Sequence, residues 1–296
     1  MLRILGTLFA GLLGLAFGSF LNVCLSRWPA GESVVKPASH CRSCGRSLSW
    51  WENIPLLSWI FLRGRCRTCN AAISWRYPLV ELLVGALWAT IAWQQLAIPL
   101  ARTALGSPLR PGTVIADAEI ALGTAIFSLL LVGLAMLDAE LLWLPDVVTL
   151  PGTAAGILYS ISLVLGSITY ITVQPPVWQT IVEYLLGILA AALLILLIRW
   201  IYWLVRRREG VGLGDAKLMA MLAAWLGLPG ALLSFGIGVV LGAIVALVVI
   251  ALPKRDDPES WTAIKLPLGT FLCIGGIVSA LWGQQIIAAY LRYSGL

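Results

Sequence analysis

Two aspartates stand where apolar runs break off: Asp138 ends one run, and Asp215 closes the stretch Gly212-Leu213-Gly214-Asp215 just before another begins. An ionisable group at the edge of a hydrocarbon-buried segment costs on the order of a few kcal/mol, and irregular backbone is tolerated there only where protein or a cavity shelters it. Two such acids beside glycines suggest chemistry, and what two carboxyls do together is hydrolysis. One, ionised, activates water; the other, protonated, polarises the carbonyl. The shared proton belongs to the pair, so neither aspartate is assigned as the base. The competing reading, taken for each acid singly, is a helix cap or a side chain reaching for the interface.

The chain reads LDAELLWLPDVVTLP at the end of that first run, with Asp138, Glu140 and Asp146 in what reads as a short turn. Pro145 and Pro151 mark where the helix stops and restarts. Asp215 lies in RRREGVGLGDAK. There Gly210, Gly212 and Gly214 permit backbone conformations closed to other residues and the close approach of another chain, and Asp215 opens a helix that carries Lys217.

A second cluster of chemistry-bearing residues is made of sulfur. Cys41 and Cys44 form one CxxC, Cys66 and Cys69 another, separated by a spacing near that of zinc-ribbon folds. Four thiolates suit a closed tetrahedral Zn(II) site, structural because no position is left for water or substrate. Two disulfides are the alternative, disfavoured in a reducing cytoplasm. His40 is read as a neighbour of the cluster, and Cys24 and Cys273, in or beside spans, as packing residues. Trp50, Trp51, Trp59 and Trp75 are interleaved with Arg63, Arg65, Arg67 and Arg76, a composition that fits interfacial anchoring or, more sharply, a nucleotide-like ligand.

These residues must be held by a membrane scaffold. Of the 296 residues 60% are hydrophobic and 11% charged, which excludes an ordinary soluble domain. The expected fold is an all-α polytopic membrane protein of about eight transmembrane helices, with a small zinc-binding loop domain between the first two. The spans fall near 4–24, 78–98, 118–138, 147–168, 179–204, 215–233, 235–252 and 269–290. The division of the sixth from the seventh rests on Leu228-Pro229-Gly230 as a turn. The expected parts are 1–25 as first helix, 26–77 as loop domain and 78–296 as the transmembrane peptidase domain.

Basic residues collect on one side: Arg27, Lys36, Arg42 and Arg46 with the loop arginines, then Arg206 to Arg208 and Lys217, then Lys254, Arg255 and Lys265. That side is expected to be cytoplasmic, with both termini outward. Topology accounts for the net charge of +6 without nucleic acid. The N-terminal run has only Arg3 before it and reads as an uncleaved first span.

Five stretches together resemble the type IV prepilin peptidases: GSFLNVCLSR at 18–27, the two CxxC pairs, WENIPLLSWIFLRGRC with ISWRYPLVELL, LDAELLWLPDVVTLP, and GVGLGDAKL. The resemblance implies a GxGD-class aspartic protease of the bacterial inner membrane with Asp138 and Asp215 as its dyad. Glu140, Asp146, Gly212, Gly214 and Lys217 would shape the site. It implies prepilin or pseudopilin substrates, cut where their basic leader meets an apolar helix. It also implies N-methylation of the new amino terminus from S-adenosylmethionine, an activity associated with the zinc-bearing loop and with Gly64. Where the family commonly has IPFGP this chain has LPLGT at 266–270, a difference expected to lie away from the dyad. Asp256, Asp257 and Glu259 could attract a basic leader or simply be solvated.

Two rivals come from other classes. A membrane methyltransferase would leave the aspartates structural. A proton-coupled transporter would use Glu81 or Glu183, but a transport site belongs near the midplane rather than at one face.

Overall fold

The computed structural model describes residues 1–104, 111–168, 177–208, 210, 212–251 and 266–295. Lys254, Arg255 and Lys265, the acids Asp256, Asp257 and Glu259, Arg110, and Pro175 with Pro176 lie outside the described residues. Among the described residues eight α-helices follow in order: α1 (Leu2–Arg27), α2 (Leu57–Phe61), α3 (Arg76–Ala104), α4 (Pro111–Leu141), α5 (Asp146–Ile168), α6 (Val177–Arg206), α7 (Leu213–Ala251) and α8 (Leu268–Ser294). All but α2 are long and apolar enough to cross a membrane. Among the described residues there is no β-strand, only isolated bridges at His40–Ser47 and Arg65–Ala72. The chain divides into two compact units, Met1–Gly133 and Leu134–Leu296, with the boundary inside α4.

In the first unit α1 and α3 touch backbone to backbone. A Cβ on Gly14 would lie 2.8 Å from the Val84 carbonyl oxygen, and one on Gly18 would lie 2.7 Å from the Glu81 Cα. Small residues at these two turns allow that approach, which gives helices in lipid the dispersion contact that hydrophobic transfer cannot supply. Trp88 of α3 then donates its indole N–H to the Ala125 carbonyl of α4.

In the second unit α6 fully buries only Gly187, Ala191 and Ile195, flanked by half-buried residues such as Tyr184 and Ile188, and leaves Leu185, Leu186, Leu189, Leu193 and Leu197 exposed. That is the pattern of a helix bathed in lipid. The sixth and seventh expected spans form one run, α7, broken at Gly227, whose φ of 70° and ψ of 171° are not helical. The division expected at 233/235 is thus displaced, because Gly227 is the residue that adopts this conformation without strain. Pro229, which needs no N–H partner, sits in the turn that starts the second limb.

The chain reverses there. From Lys217 beside Asp146, the first limb runs along α5 until Trp225 donates to Gly152 and the Ala224 carbonyl accepts from Ser160. Beyond Gly227 the partners in α8 fall in number as α7 rises: Ser279 donates to Gly230, Gly275 abuts Ser234, Leu272 abuts Gly238 and Phe271 abuts Gly242. The second limb therefore returns antiparallel to α8, and the eight expected crossings are carried by seven long helices. At 1.5 Å per residue the limb from Leu213 to Leu226 is about 21 Å long, less than a hydrocarbon core of about 30 Å. Either the reversal or Asp215, or both, lies below the polar boundary.

Two further local expectations are corrected. Asp138 and Glu140 are not in a turn but in the last turn of α4, which ends when Leu142 takes a left-handed φ of 51°. Of the two prolines, only Pro145 precedes the restart; Pro151 lies inside α5.

Candidate functional site

Asp138 and Asp215 are both buried, at 5% and 8% exposure, although Glu140 next to the first and Asp146 near the second are exposed. Both buried acids belong to the second unit. Each is held by a backbone N–H at the start of a helix. Asp215 is the third residue of α7, and its Oδ2 reaches back to the N–H of Gly212 at 3.0 Å, half of the reciprocal arrangement that caps helix starts. Asp138 Oδ2 accepts the N–H of Thr270, the third residue of α8, at 2.6 Å, and Thr270 Oγ1 stands 3.1 Å from the same oxygen. Helix N-termini favour anions, so each carboxyl has one oxygen stabilised as an acceptor. Among the described residues, the other oxygen, Oδ1, has no recorded hydrogen bond in either acid.

The glycines around the acids supply room. Gly214 shows no left-handed φ. A Cβ on Gly212 would lie 3.3 Å from Asp215 Oδ2 and one on Gly214 would lie 3.1 Å from Leu144. One on Gly269 would lie 2.9 Å from both Asp138 Oδ2 and Leu144 Cδ1. Leu144, in the link between α4 and α5, thus packs against the glycine beside each acid.

Lys217 closes one side with an ion pair to Asp146, at 2.6 and 2.8 Å from its two oxygens. The pair is substantially exposed, at 39% and 57%, and worth at most about 1 kcal/mol.

The stretch LPLGT, expected to stand clear of the dyad, is in contact with it. Thr270, Gly269 and Leu144 are the residues that sequence reasoning missed near the acids. The signal was available in the LPLGT departure itself, but nothing local says that residue 270 meets residue 138.

In the first unit the four cysteines converge, their sulfurs within 4.8 Å of one another and Cys41 to Cys69 at 3.7 Å. All are free thiols, and 3.7 Å is far beyond a disulfide bond of about 2.05 Å. Tetrahedral Zn(II) with bonds of about 2.3 Å would set its sulfurs roughly 3.8 Å apart, so the cluster fits that ion. The two knuckles share one backbone design. Cys41 N–H bonds Arg46 O and Gly45 N–H bonds Cys41 O; likewise Cys66 N–H bonds Ala71 O and Asn70 N–H bonds Cys66 O. Gly45 and Asn70 both take left-handed φ, 70° and 56°. These turns aim amides at sulfur. The N–H groups of Cys69 and Thr68 bring the Cys66 thiol down to about 6, and those of Cys44 and Ser43 lower Cys41. His40 donates Nδ1–H to Ala38 O instead of joining the cluster.

Arg46 ties the first knuckle to the turn Trp50–Asn53 by two bonds to Glu52, at 3.1 and 2.6 Å, while Ser49 N–H bonds the same carboxylate. Gly64 has φ 66° and packs against the Trp59 indole, whose Cζ2 would lie 2.9 Å from a Cβ there. Trp59 donates to Ile73 O, and Ile73 N–H bonds Gly64 O. In this structure Gly64 closes the second knuckle against Trp59.

A helical membrane protein with a buried aspartate pair held by helix-start N–H groups, and a separate four-thiolate cluster, is the class that fold and site define. Residues 12–95 match the family model described as the bacterial peptidase A24 N-terminal domain, and residues 125–247 that of the type IV leader peptidase family. The chain belongs to the type IV leader peptidase family. A protein of Stutzerimonas stutzeri called prepilin leader peptidase/N-methyltransferase is 33% identical, over 98% of this chain and 95% of its own length. Proteins of the same name from Pseudomonas aeruginosa, at 32% over 96% and 93%, and Myxococcus xanthus, at 36% over 88% and 68%, are similar to it as well. No solved structure matches the chain significantly.

Proposed function

We propose that this chain cleaves the leader peptide of type IV prepilins or type II secretion pseudopilins with Asp138 and Asp215, and methylates the new amino terminus using S-adenosylmethionine. The observation that carries the peptidase reading is the paired pinning of the two acids: one oxygen of each is held by a helix-start N–H, and Leu144 packs against the glycine beside each. Two carboxyls so placed share a proton. The ionised one takes a proton from water as its oxygen bonds the scissile carbonyl carbon. The protonated one supports the developing oxyanion, and the C–N bond breaks as the leaving amine receives a proton from the pair.

The methylation reading follows the name shared by relatives that this chain matches along nearly its whole length. S-adenosylmethionine supplies the methyl group when bound. The zinc-bearing segment 26–77 is assigned to that activity and 78–296 to proteolysis. Cys41, Cys44, Cys66 and Cys69 hold Zn(II) as a crosslink for a segment too small to fold on apolar burial alone. The distribution of basic residues along the sequence supports a cytoplasmic side of the bacterial inner membrane for the cluster and the dyad, with both termini outward.

The test is cleavage of a purified prepilin by wild type, Asp138→Asn and Asp215→Asn, with mass spectrometry of the product terminus. Each variant is expected to lose roughly 10²–10⁴-fold in rate while remaining folded. Full activity in either removes that aspartate from the dyad. An unmodified product amine with the cofactor present refutes methylation alone.

A further inference from the structure

We propose that Thr270 is a positioning residue for Asp138: its backbone N–H and hydroxyl together hold Oδ2, so that Oδ1 is the oxygen turned to the reaction. This rests on the dyad reading above. The N–H of Thr270 is among the four at a helix start that the helix itself leaves unsatisfied. Pro267, at the N-cap of α8, makes no side-chain capping bond. The Asp138 carboxyl, arriving from the last turn of α4, takes that place at 2.6 Å. Gly269 makes the approach possible, since any side chain there would strike Oδ2. An amide proton does not leave, so Oδ2 stays an acceptor throughout turnover. The proton that the pair shares then resides on Asp138 Oδ1 or on Asp215.

The hydroxyl adds adjustment. Thr270 Oγ1 lies 3.0 Å from Ala135 O and 3.1 Å from Asp138 Oδ2, and its single hydrogen can serve either acceptor. Ala135 is one turn before Asp138, so Thr270 grips the same helix at two levels. When Asp138 is ionised its carboxylate is the stronger acceptor. When Asp138 is neutral the hydrogen turns to the Ala135 carbonyl. Thr270 therefore stays bonded through the change of charge that an acid–base carboxyl undergoes in each cycle. A proline at 270, as in the IPFGP form of the resemblance, has neither donor, so the device belongs to this chain.

The experiment uses the purified full-length protein and a prepilin substrate. Thr270→Val keeps the N–H and the shape and loses the hydroxyl; Thr270→Ser keeps both donors. Thr270→Val is expected to lower kcat roughly tenfold, the scale of one hydrogen bond to a charged group, with KM and thermal unfolding unchanged. Thr270→Ser is expected to stay within about twofold of wild type. An unchanged kcat in Thr270→Val overturns the proposal. So does a loss shared by Thr270→Ser, or one that appears only as raised KM or lowered thermal stability. Asp138→Asn in the same assay separates the two claims. If it cleaves normally, the dyad fails; if it is inactive while Thr270→Val is unaltered, only the role of Thr270 fails.

Discussion

The buried carboxylate of Glu81, in α3, accepts the backbone N–H of Leu56 at 2.8 Å, and Leu56 is the centre of a tight turn closed by a bond of 2.6 Å from Leu57 N–H to Pro55 O. With φ 60° and ψ −50°, Leu56 has a backbone conformation that costs on the order of 1–3 kcal/mol. It persists because Glu81 takes the amide that the turn exposes. An acid that as a sequence feature fits an ion path is, in the structure, a pin between the loop and the α1–α3 pair.

Glu81→Ala should therefore loosen the loop and leave its metal site intact. Hydrogen exchange at the Leu56 amide is expected to speed up by roughly 10-fold or more, the scale of one lost buried bond, with metal content unchanged. Glu81→Gln, which keeps an acceptor, should lie between. Equal exchange in wild type and Glu81→Ala would remove the pin.

Gly269 and Gly275, both in α8, should separate activity from stability. A Cβ at 269 meets the side chains of Asp138 and Leu144, which can move, so Gly269→Ala is expected to fold but cleave prepilin at least about tenfold more slowly, because a small misplacement of a reacting group is costly. A Cβ at 275 meets the backbone of Ser234. Gly275→Ala is expected to lose about 1–3 kcal/mol of stability, read as a lower unfolding temperature in detergent. Equal kinetics in Gly269→Ala and wild type would show that the α8 start does not govern Asp138.

Metal analysis of the purified chain should find about one zinc per molecule, as expected of a closed four-sulfur site. Cys41→Ser or Cys66→Ser should release it and raise protease sensitivity within 26–77. A wild-type protein prepared with zinc available yet holding none would end the assignment.

Acid should weaken the first knuckle through Glu52. The Arg46 guanidinium and the Ser49 amide hold the Glu52 carboxyl at about 2, against an ordinary value of 4.5. A depressed carboxyl contributes its stabilisation above the unfolded value and loses it as pH falls toward the folded one, so the contribution is complete above about 4.5 and fades between there and about 2. Glu52→Gln should remove that part of the pH dependence. Wild type and variant measured at equal metal content should diverge as pH rises through this window. Parallel curves would show that the pair adds nothing.

Membrane scaffold, thiolate cluster and both acids were legible in the residues. A bilayer forces every crossing to satisfy its own backbone bonds, so runs of apolar residues announce helices one by one. Seven of the eight expected spans lie wholly inside observed helices, that at 215–233 straddling the break at Gly227. Cysteine spacing is equally local: each CxxC closes its own turn, and the convergence of the two follows from thiolate chemistry. The reversal in α7 was half legible. Pro229 advertised a break, but the conformation that makes it belongs to Gly227, two residues earlier.

What the residues alone determined is therefore what neighbouring atoms decide: where helices run, which turns carry sulfur, which acids sit at helix ends. What only the tertiary structure decided is who holds those acids. Asp138 is gripped by a threonine 132 residues further along the chain, and Glu81 pins a loop turn that precedes it by 25. No periodicity or spacing encodes such pairings, because a hydrogen bond depends on positions within about 3 Å and these are set by how separate helices pack.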